Sequence, residues 1–225
     1  MAGHRIFHSG LLALTLWLLS VCAALAGPPT DQLRGAVDQV LKIVSDPELK
    51  KEAKTRERRD AIRAVANQIF DFTEISRGSL GPHCQARTPA EREEFTHLFG
   101  DLLEESYVSK VETYAGERIQ YLGETVDGDR VVIRSLIVTK HGEAIPMDYH
   151  MVAREDRWRA YDVMLDGVSF VASYRAQFSS IIHRSGYHLV AKLRVKYERR
   201  PGARDTGAGA QTGGAAVTAP ASTPW

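Results

Sequence analysis

Apolar residues recur at helical spacing through the first half of the chain. Positions three and four residues apart mark the buried face of an amphipathic helix. The apolar stripes occupy segments 33–44, 62–70 and 95–107. Before the third stripe, Thr88, Pro89 and Glu91 have the order of a capping box with proline in the first turn. The first half is therefore predicted to be helical.

After Gly116 the pattern changes to the alternation of apolar and polar residues that is typical of strands. The predicted strands are 117–125, 129–140, 143–154 and 157–165. Short turns such as Asp127-Gly128 join them, and such turns connect antiparallel neighbours. Two more helical segments follow, at about 168–184 and 186–199. We predict an α+β fold, a four-stranded antiparallel twisted sheet with helices packed against one face.

Both ends of the chain differ from this middle region. Residues 1–26 combine a basic start, a short apolar run and Ala24-Leu25-Ala26, which is typical of a cleavable signal peptide. Residues 201–225 are rich in Gly, Ala, Pro and Thr, and they predict a disordered tail. One domain is expected at 27–200, and export predicts a periplasmic location.

Charge and cysteine content narrow the functional classes. The predicted signal holds one of the 29 basic residues and no acid, so the mature chain has 28 basic and 28 acidic residues. This balance gives no support for nucleic-acid binding. Cleavage would leave Cys84 as the single cysteine, so an internal disulfide is excluded and stability must come from an apolar core.

No motif for an enzyme or a metal site is present. The sequence lacks G-x-S-x-G, H-E-x-x-H and C-x-x-C. Asp148, Asp162 and Asp166 lie on or beside neighbouring predicted strands, where paired carboxylates can act as acid and base. We interpret them as structural, with Asp162, Asp166 and Arg175 in polar contacts of the scaffold. The prediction is a protein that is not an enzyme and has no cofactor or metal.

The predicted interior is unusual in its adaptable side chains. Apolar stripes are most often simply core, but flexible or amphipathic residues also suit pockets for flexible ligands. The adaptable residues assigned to the interior are Met147, Met151, Met164, Tyr149, Tyr161 and Tyr174.

An ordered series of segments resembles one protein family. The series runs "FDFTEIS", "FTHLFGDLLEESY", "YAGERIQYLGE", "IPMDYHM" and "RWRAYDVMLDGVSFVASYRAQF". Together with the export signal, it is similar to the MlaC family of periplasmic phospholipid-binding proteins, which has a hopanoid-associated branch called HpnM. The similarity extends over about residues 31–197.

The resemblance implies a soluble shuttle that maintains the lipid asymmetry of the outer membrane. Such a protein exchanges phospholipid with an outer-membrane lipoprotein–porin complex. It also exchanges phospholipid with an inner-membrane ABC transporter through the MCE-domain subunit of the transporter. The implied fold is related to NTF2-like shapes, and acyl chains enter between sheet and helices. The only bound molecule expected is the phospholipid cargo.

Alternation and resemblance together predict which residues face the lipid. The predicted wall consists of Leu98, Leu102, Tyr107, Met147, Tyr149, Met151, Val163, Leu165, Phe170, Tyr174 and Phe178. Three alternatives stay open at this point. They are a carrier of hopanoids or other apolar ligands, an NTF2-like enzyme that uses Asp148 as base, and an exported adaptor with a filled core.

Overall fold

The computed structural model describes residues 29–113 and 116–198, so the predicted signal peptide and tail lie outside it. The helices in these ranges are α1 (Pro29–Ser45), α2 (Thr55–Ile69), α3 (Phe72–Leu80), α4 (Pro89–Glu112), α5 (Phe170–Ser185) and α6 (Leu189–Glu198). The strands are β1 (Arg118–Asp127), β2 (Arg130–Val138), β3 (Ala144–Arg154), β4 (Arg157–Leu165) and β5 (Val168–Ser169). Of the helices described, none has the length and apolar character needed to cross a membrane.

The start of α4 shows how the sequence fixes an element locally. The Glu91 amide donates a hydrogen bond to Thr88 Oγ1 at 3.2 Å, and the Thr88 amide donates to Glu91 Oε2 at 2.7 Å. This reciprocal pair satisfies two amides that would otherwise lack partners at a helix start. The capping box predicted from the sequence is confirmed.

The junction between α2 and α3 anchors the helices to the edge of the sheet. Phe70 forms an isolated parallel bridge with Ala160 of β4, and the Asp71 amide donates to the Ala160 carbonyl at 2.8 Å. Asp71 Oδ1 then accepts from the Glu74 amide, which caps α3. One short segment therefore ends α2, contacts the sheet and starts α3.

The sheet is an antiparallel meander in the order β1-β2-β3-β4-β5. The α+β fold is confirmed, but the sheet has five strands where we predicted four. The difference arises at Asp166 and Gly167, whose φ angles of 47° and 77° reverse the chain in a tight turn. Val168 and Ser169 consequently pair with β4 before α5 begins, although we predicted a helix from about residue 168.

One face of the sheet is covered by helices. Along β2, the buried residues Val131, Ile133, Ser135 and Ile137 alternate with less buried neighbours. The helices packed closest to the sheet are α1, α2, α3 and α5, whereas α4 packs on α6, α3 and α2 and its aromatic rings contact those of α5. Helix α4 is therefore held mainly by other helices.

Two residues assigned to the interior lie on the outer face instead. Met164 pairs in register with Asp148 rather than with an inward residue. A bulge at His150 and Met151 leaves Tyr161 without an opposite residue, and the Arg130 guanidinium lies over its ring. The assignment of Met164 to the interior was wrong, because Met164 lies between the inward residues Val163 and Leu165 and therefore faces the other side of the strand. The bulge explains the error at Tyr161, because an extra residue shifts the side-chain pattern.

Candidate functional site

A cluster of aromatic rings fills the space between the helices. Phe95, Phe99, Tyr174 and Phe178 are fully buried, and their ring centroids are separated by 4.9–5.6 Å in the contacting pairs. Distances of this size are those of packed aromatic pairs. We call this group, with its buried neighbours on α3 to α6, the helical cluster.

A second cluster covers the inner face of the sheet. Val131, Ile133, Tyr149 and Met151 pack there with Leu33 of α1, and Ile69, Trp158 and Ala160 complete the group. The Tyr149 hydroxyl donates to Met147 Sδ at 3.3 Å, a bond within the apolar layer. We call this group the sheet cluster.

Half-buried apolar residues lie at the margins of the two clusters, and Phe70 packs against both clusters. Tyr107 and Phe170 lie at the margin of the helical cluster, with ring centroids 5.4 Å apart. Met147 and Val163 lie at the margin of the sheet cluster, and half-buried Leu165 pairs with Met147. Leu165 pairs with Val168 of β5, and α5 begins at Phe170, two residues after Val168. The strand residue Leu165 and the helix residue Phe170 are therefore only five positions apart in the chain. We call these five residues the boundary strip.

The structure divides the predicted lipid-facing residues into three groups. Leu98, Leu102, Tyr174 and Phe178 are buried in the helical cluster. Tyr149 and Met151 are buried in the sheet cluster. The other five predicted residues form the boundary strip. The predicted wall is thus two packed layers with a less tightly buried margin between them.

Two open hollows lie elsewhere on the described residues. One, of about 410 Å³, is lined by Ala90, Glu93, Glu94, His97 and Leu98. The other, of about 400 Å³, lies mainly between α1 and α2 and is lined by Gln32, Gly35, Ala36, Gln39, Gln68, Ile69, Asp156 and Arg157. Leu98 is the one predicted wall residue that borders either hollow.

The tyrosines around the strip are uncharged. Burial raises the pKa of Tyr107, Tyr149 and Tyr174, so each hydroxyl keeps its proton at neutral pH. Burial also raises the pKa of Tyr121 on β1 to about 12, where Asp38 adds to the shift and Arg34 opposes it. A surface of neutral side chains suits hydrocarbon better than charged groups do.

The three aspartates do not form a catalytic group at the strip. Asp148 pairs in register with Arg134 and Met164 and lies on the outer face of the sheet. Asp162 accepts hydrogen bonds from the Val163 amide, the Ser169 hydroxyl and the Val171 amide, which fastens β4 to the start of α5.

The other two predicted scaffold residues, Asp166 and Arg175, also have roles in backbone structure. Asp166 lies in the β4–β5 turn, and Arg175 donates to the Gly78 carbonyl at 2.7 Å. Among the described residues, neither Arg175 nor Arg134 forms an ion pair with Asp148 or Asp162. Within the same residues, no group of three or more candidate ligands could hold a metal ion.

Sequence reasoning missed two residues at the cluster margins. Phe70 packs against both clusters, and Tyr121 packs against the sheet cluster. Phe70 ends a helical stripe, and nothing in that stripe indicates the bridge to β4. Tyr121 faces inward opposite Ser135, and the alternation of β1 was the available signal.

Comparison with a solved structure supports the fold. The phospholipid-binding protein from Ralstonia solanacearum, determined in complex with a phospholipid, aligns with a TM-score of 0.64 and 24% sequence identity. The alignment covers 75% of this chain and 96% of the Ralstonia chain.

Curated relatives and a family model extend the comparison. The intermembrane phospholipid transport system binding protein MlaC of Haemophilus influenzae is 25% identical over 190 residues, 80% of this chain and 87% of the relative. The toluene tolerance protein ttg2D of Pseudomonas putida is 21% identical over 186 residues, 82% of this chain and 86% of the relative. The family model described as MlaC protein matches residues 34–194, and the chain therefore belongs to the MlaC family.

Proposed function

We propose that this protein binds phospholipid and carries it across the periplasm between the outer and inner membranes. The observation that carries the proposal is the boundary strip, a set of neutral, half-buried apolar residues at the margins of two packed clusters that share a contact with Phe70. Family membership supports the same function, because the relatives named above include a transport-system binding protein and a phospholipid-binding protein.

Acyl chains would enter along the boundary strip and separate the helical cluster from the sheet cluster. The half-buried residues of the strip would contact the chains first, while buried residues such as Met151 and Phe178 would form the layers behind them. Flexible methionine at the margin suits such an opening, because its side chain adapts to changed surroundings at low cost. The packing of α4 mainly against other helices supports this separation.

Transfer energies explain why a protein is needed. Two acyl chains with about 30 methylene groups would cost roughly 25 kcal/mol in water, at about 0.8 kcal/mol per group. A sheltered apolar surface offsets most of this cost, so the carrier releases its cargo nearly as readily as it takes it up. The direction of transport would then be set by the partners or by ATP hydrolysis elsewhere.

The proposed partners follow from the family resemblance. They are an outer-membrane lipoprotein–porin complex and an inner-membrane ABC transporter that is contacted through its MCE-domain subunit. The location follows from the predicted signal peptide at residues 1–26. We propose no catalytic role, because Asp148, the base of the alternative enzyme hypothesis, lies on the face of the sheet opposite the strip.

Native mass spectrometry of protein purified from the periplasm tests this function. The expected result is one phospholipid per chain, identified after lipid extraction. A bound triterpenoid would instead support the hopanoid carrier, and a ligand-free protein would support the adaptor. Either of those two results would contradict the proposal.

A further inference from the structure

Strand β1 forms one edge of the sheet and pairs with β2 on one side only. None of the described residues forms a backbone hydrogen bond with its other side. An edge strand of ten residues offers a row of amides and carbonyls to a strand from another chain. Leu122 and Val126 of this strand are each 54% exposed, so apolar groups accompany the free backbone. This edge is therefore able to accept a further strand.

The bulge near the middle of β1 brings side chains from both halves of the strand to the same face. Four residues of β1 lie opposite buried residues of β2, and residues that pair directly share a face of the sheet. They are Ile119, Tyr121, Glu124 and Val126. In a regular strand Ile119 and Val126 would face opposite sides, because an odd number of positions separates them. The register shift between Tyr121 and Gly123 adds one residue, so that both face the helices.

The strand is consequently complementary to an antiparallel copy of itself. With a two-fold axis at the bulge, Ile119 would lie opposite Val126 of the second copy, and both would face the helices. In the same register Arg118 would lie opposite Asp127 of the second copy. Symmetry makes each of these pairs occur twice. Arg118 and Asp127 are exposed, and neither forms an ion pair with another described residue, so both charges are available for such a contact.

We infer that β1 pairs with β1 of a second copy of this chain, so that the two sheets join across a two-fold axis. Backbone hydrogen bonds and the contact between Ile119 and Val126 stabilise the dimer, and the opposite charges fix its register. An interface of one strand from each copy is small, so the dimer is weak and depends on concentration. Because β4 and β5 lie at the opposite end of the strand order, the dimer leaves their side of the boundary strip accessible. The inference does not depend on the proposed function.

Sedimentation equilibrium of the chain without its predicted signal peptide measures this association. The wild-type dimer fraction should rise clearly between about 1 μM and about 300 μM protein, as expected of a small interface. Arg118→Asp should weaken the dimer by about tenfold or more, because two exposed ion pairs, each worth up to roughly fivefold, become pairs of like charge. The charge swap Arg118→Asp/Asp127→Arg should restore the wild-type association to within about threefold, since opposite charges then meet again.

The matched control is Arg56→Asp, which makes the same change of charge on α2, where the Arg56 side chain is 96% exposed. It should leave the dimer unchanged, and urea unfolding checks that every variant is folded. Hydrogen exchange of the wild-type protein gives a second test without substitutions. The β1 amides that point away from β2 should exchange more slowly at the higher protein concentration.

A wild-type protein that stays monomeric at about 300 μM overturns the inference. The same conclusion follows if Arg118→Asp dimerises as strongly as the wild type, or if the folded charge-swap variant does not regain association. Slow exchange of these β1 amides that does not change with concentration would assign the edge to another segment of the same chain and would also overturn the inference.

Discussion

At the scale of single residues, the degree of burial distinguishes residues that stabilise the fold from residues that are proposed to contact lipid. Tyr174, Phe178 and Met151 are fully buried by neighbouring protein side chains, whereas the boundary strip is only half-buried. A charge introduced at Met151 would be buried without a partner and would destabilise the fold itself. Substitutions that test lipid contact therefore belong in the strip.

We expect Val163→Trp to reduce bound phospholipid severalfold, because a larger side chain at the margin would occupy the path of an acyl chain. Lipid is quantified after purification, and urea unfolding checks that the variant is folded. Leu122→Trp is the control, because Leu122 is 54% exposed on β1 and should leave lipid content unchanged. A folded Val163→Trp protein with normal lipid content would contradict the assignment.

At the scale of elements, the sequence determined the types of the elements better than their junctions. The α4 cap was predictable because Thr88 and Glu91 interact locally. Strand β5 was missed because two residues are too few to show a period, and the turn at Asp166 determines it. The division of the interior into two clusters was also unpredictable, since alternation and helical spacing identify a buried face but not which element covers it.

Ion pairs tie α2 to α4 and should depend on pH. Burial opposes ionisation of Glu112, but hydrogen bonds from Arg59 and Arg58 outweigh it and hold the pKa below the usual 4.5. The stabilisation is therefore complete above the unfolded-state pKa and is lost as pH falls through the lower folded-state pKa. We expect Glu112→Gln to cost about 1–3 kcal/mol of unfolding free energy at neutral pH.

Urea unfolding of both proteins over a range of pH checks this expectation. The stability difference should shrink as the pH falls below the usual carboxyl pKa of 4.5 and through the lower pKa of folded Glu112, because the wild-type carboxylate becomes protonated. A difference that is constant with pH would show that packing, rather than charge, accounts for the loss.

Close approach of α3 and α5 depends on Gly78. A Cβ at this position would lie 2.8 Å from Val171 Cγ1, which belongs to a branched and poorly adaptable side chain. We expect Gly78→Ala to destabilise the protein by about 1–3 kcal/mol, although alanine favours helix. The control Gly35→Ala has no atom within 4 Å of its new Cβ and should stabilise by up to about 1 kcal/mol. Equal stabilisation by both substitutions would contradict the packing argument.

At the scale of the whole molecule, the architecture would allow contacts between the two clusters to be replaced by contacts with acyl chains. The helical cluster and the sheet cluster each have their own buried core, and Phe70 is packed against both. Parting them along the boundary strip would expose the margins while leaving both cores intact. A lipid would then replace contacts between the margins, so opening need not unfold either layer.

Photo-crosslinking with a phospholipid that carries a diazirine near the end of one acyl chain tests this claim most directly. Loaded protein is irradiated, digested and sequenced by mass spectrometry. Our account predicts adducts on the boundary strip and on the residues directly behind it, from β3, β4, α4 and α5. Adducts concentrated on the outer face of the sheet, at residues such as Leu136 and Met164, would contradict it.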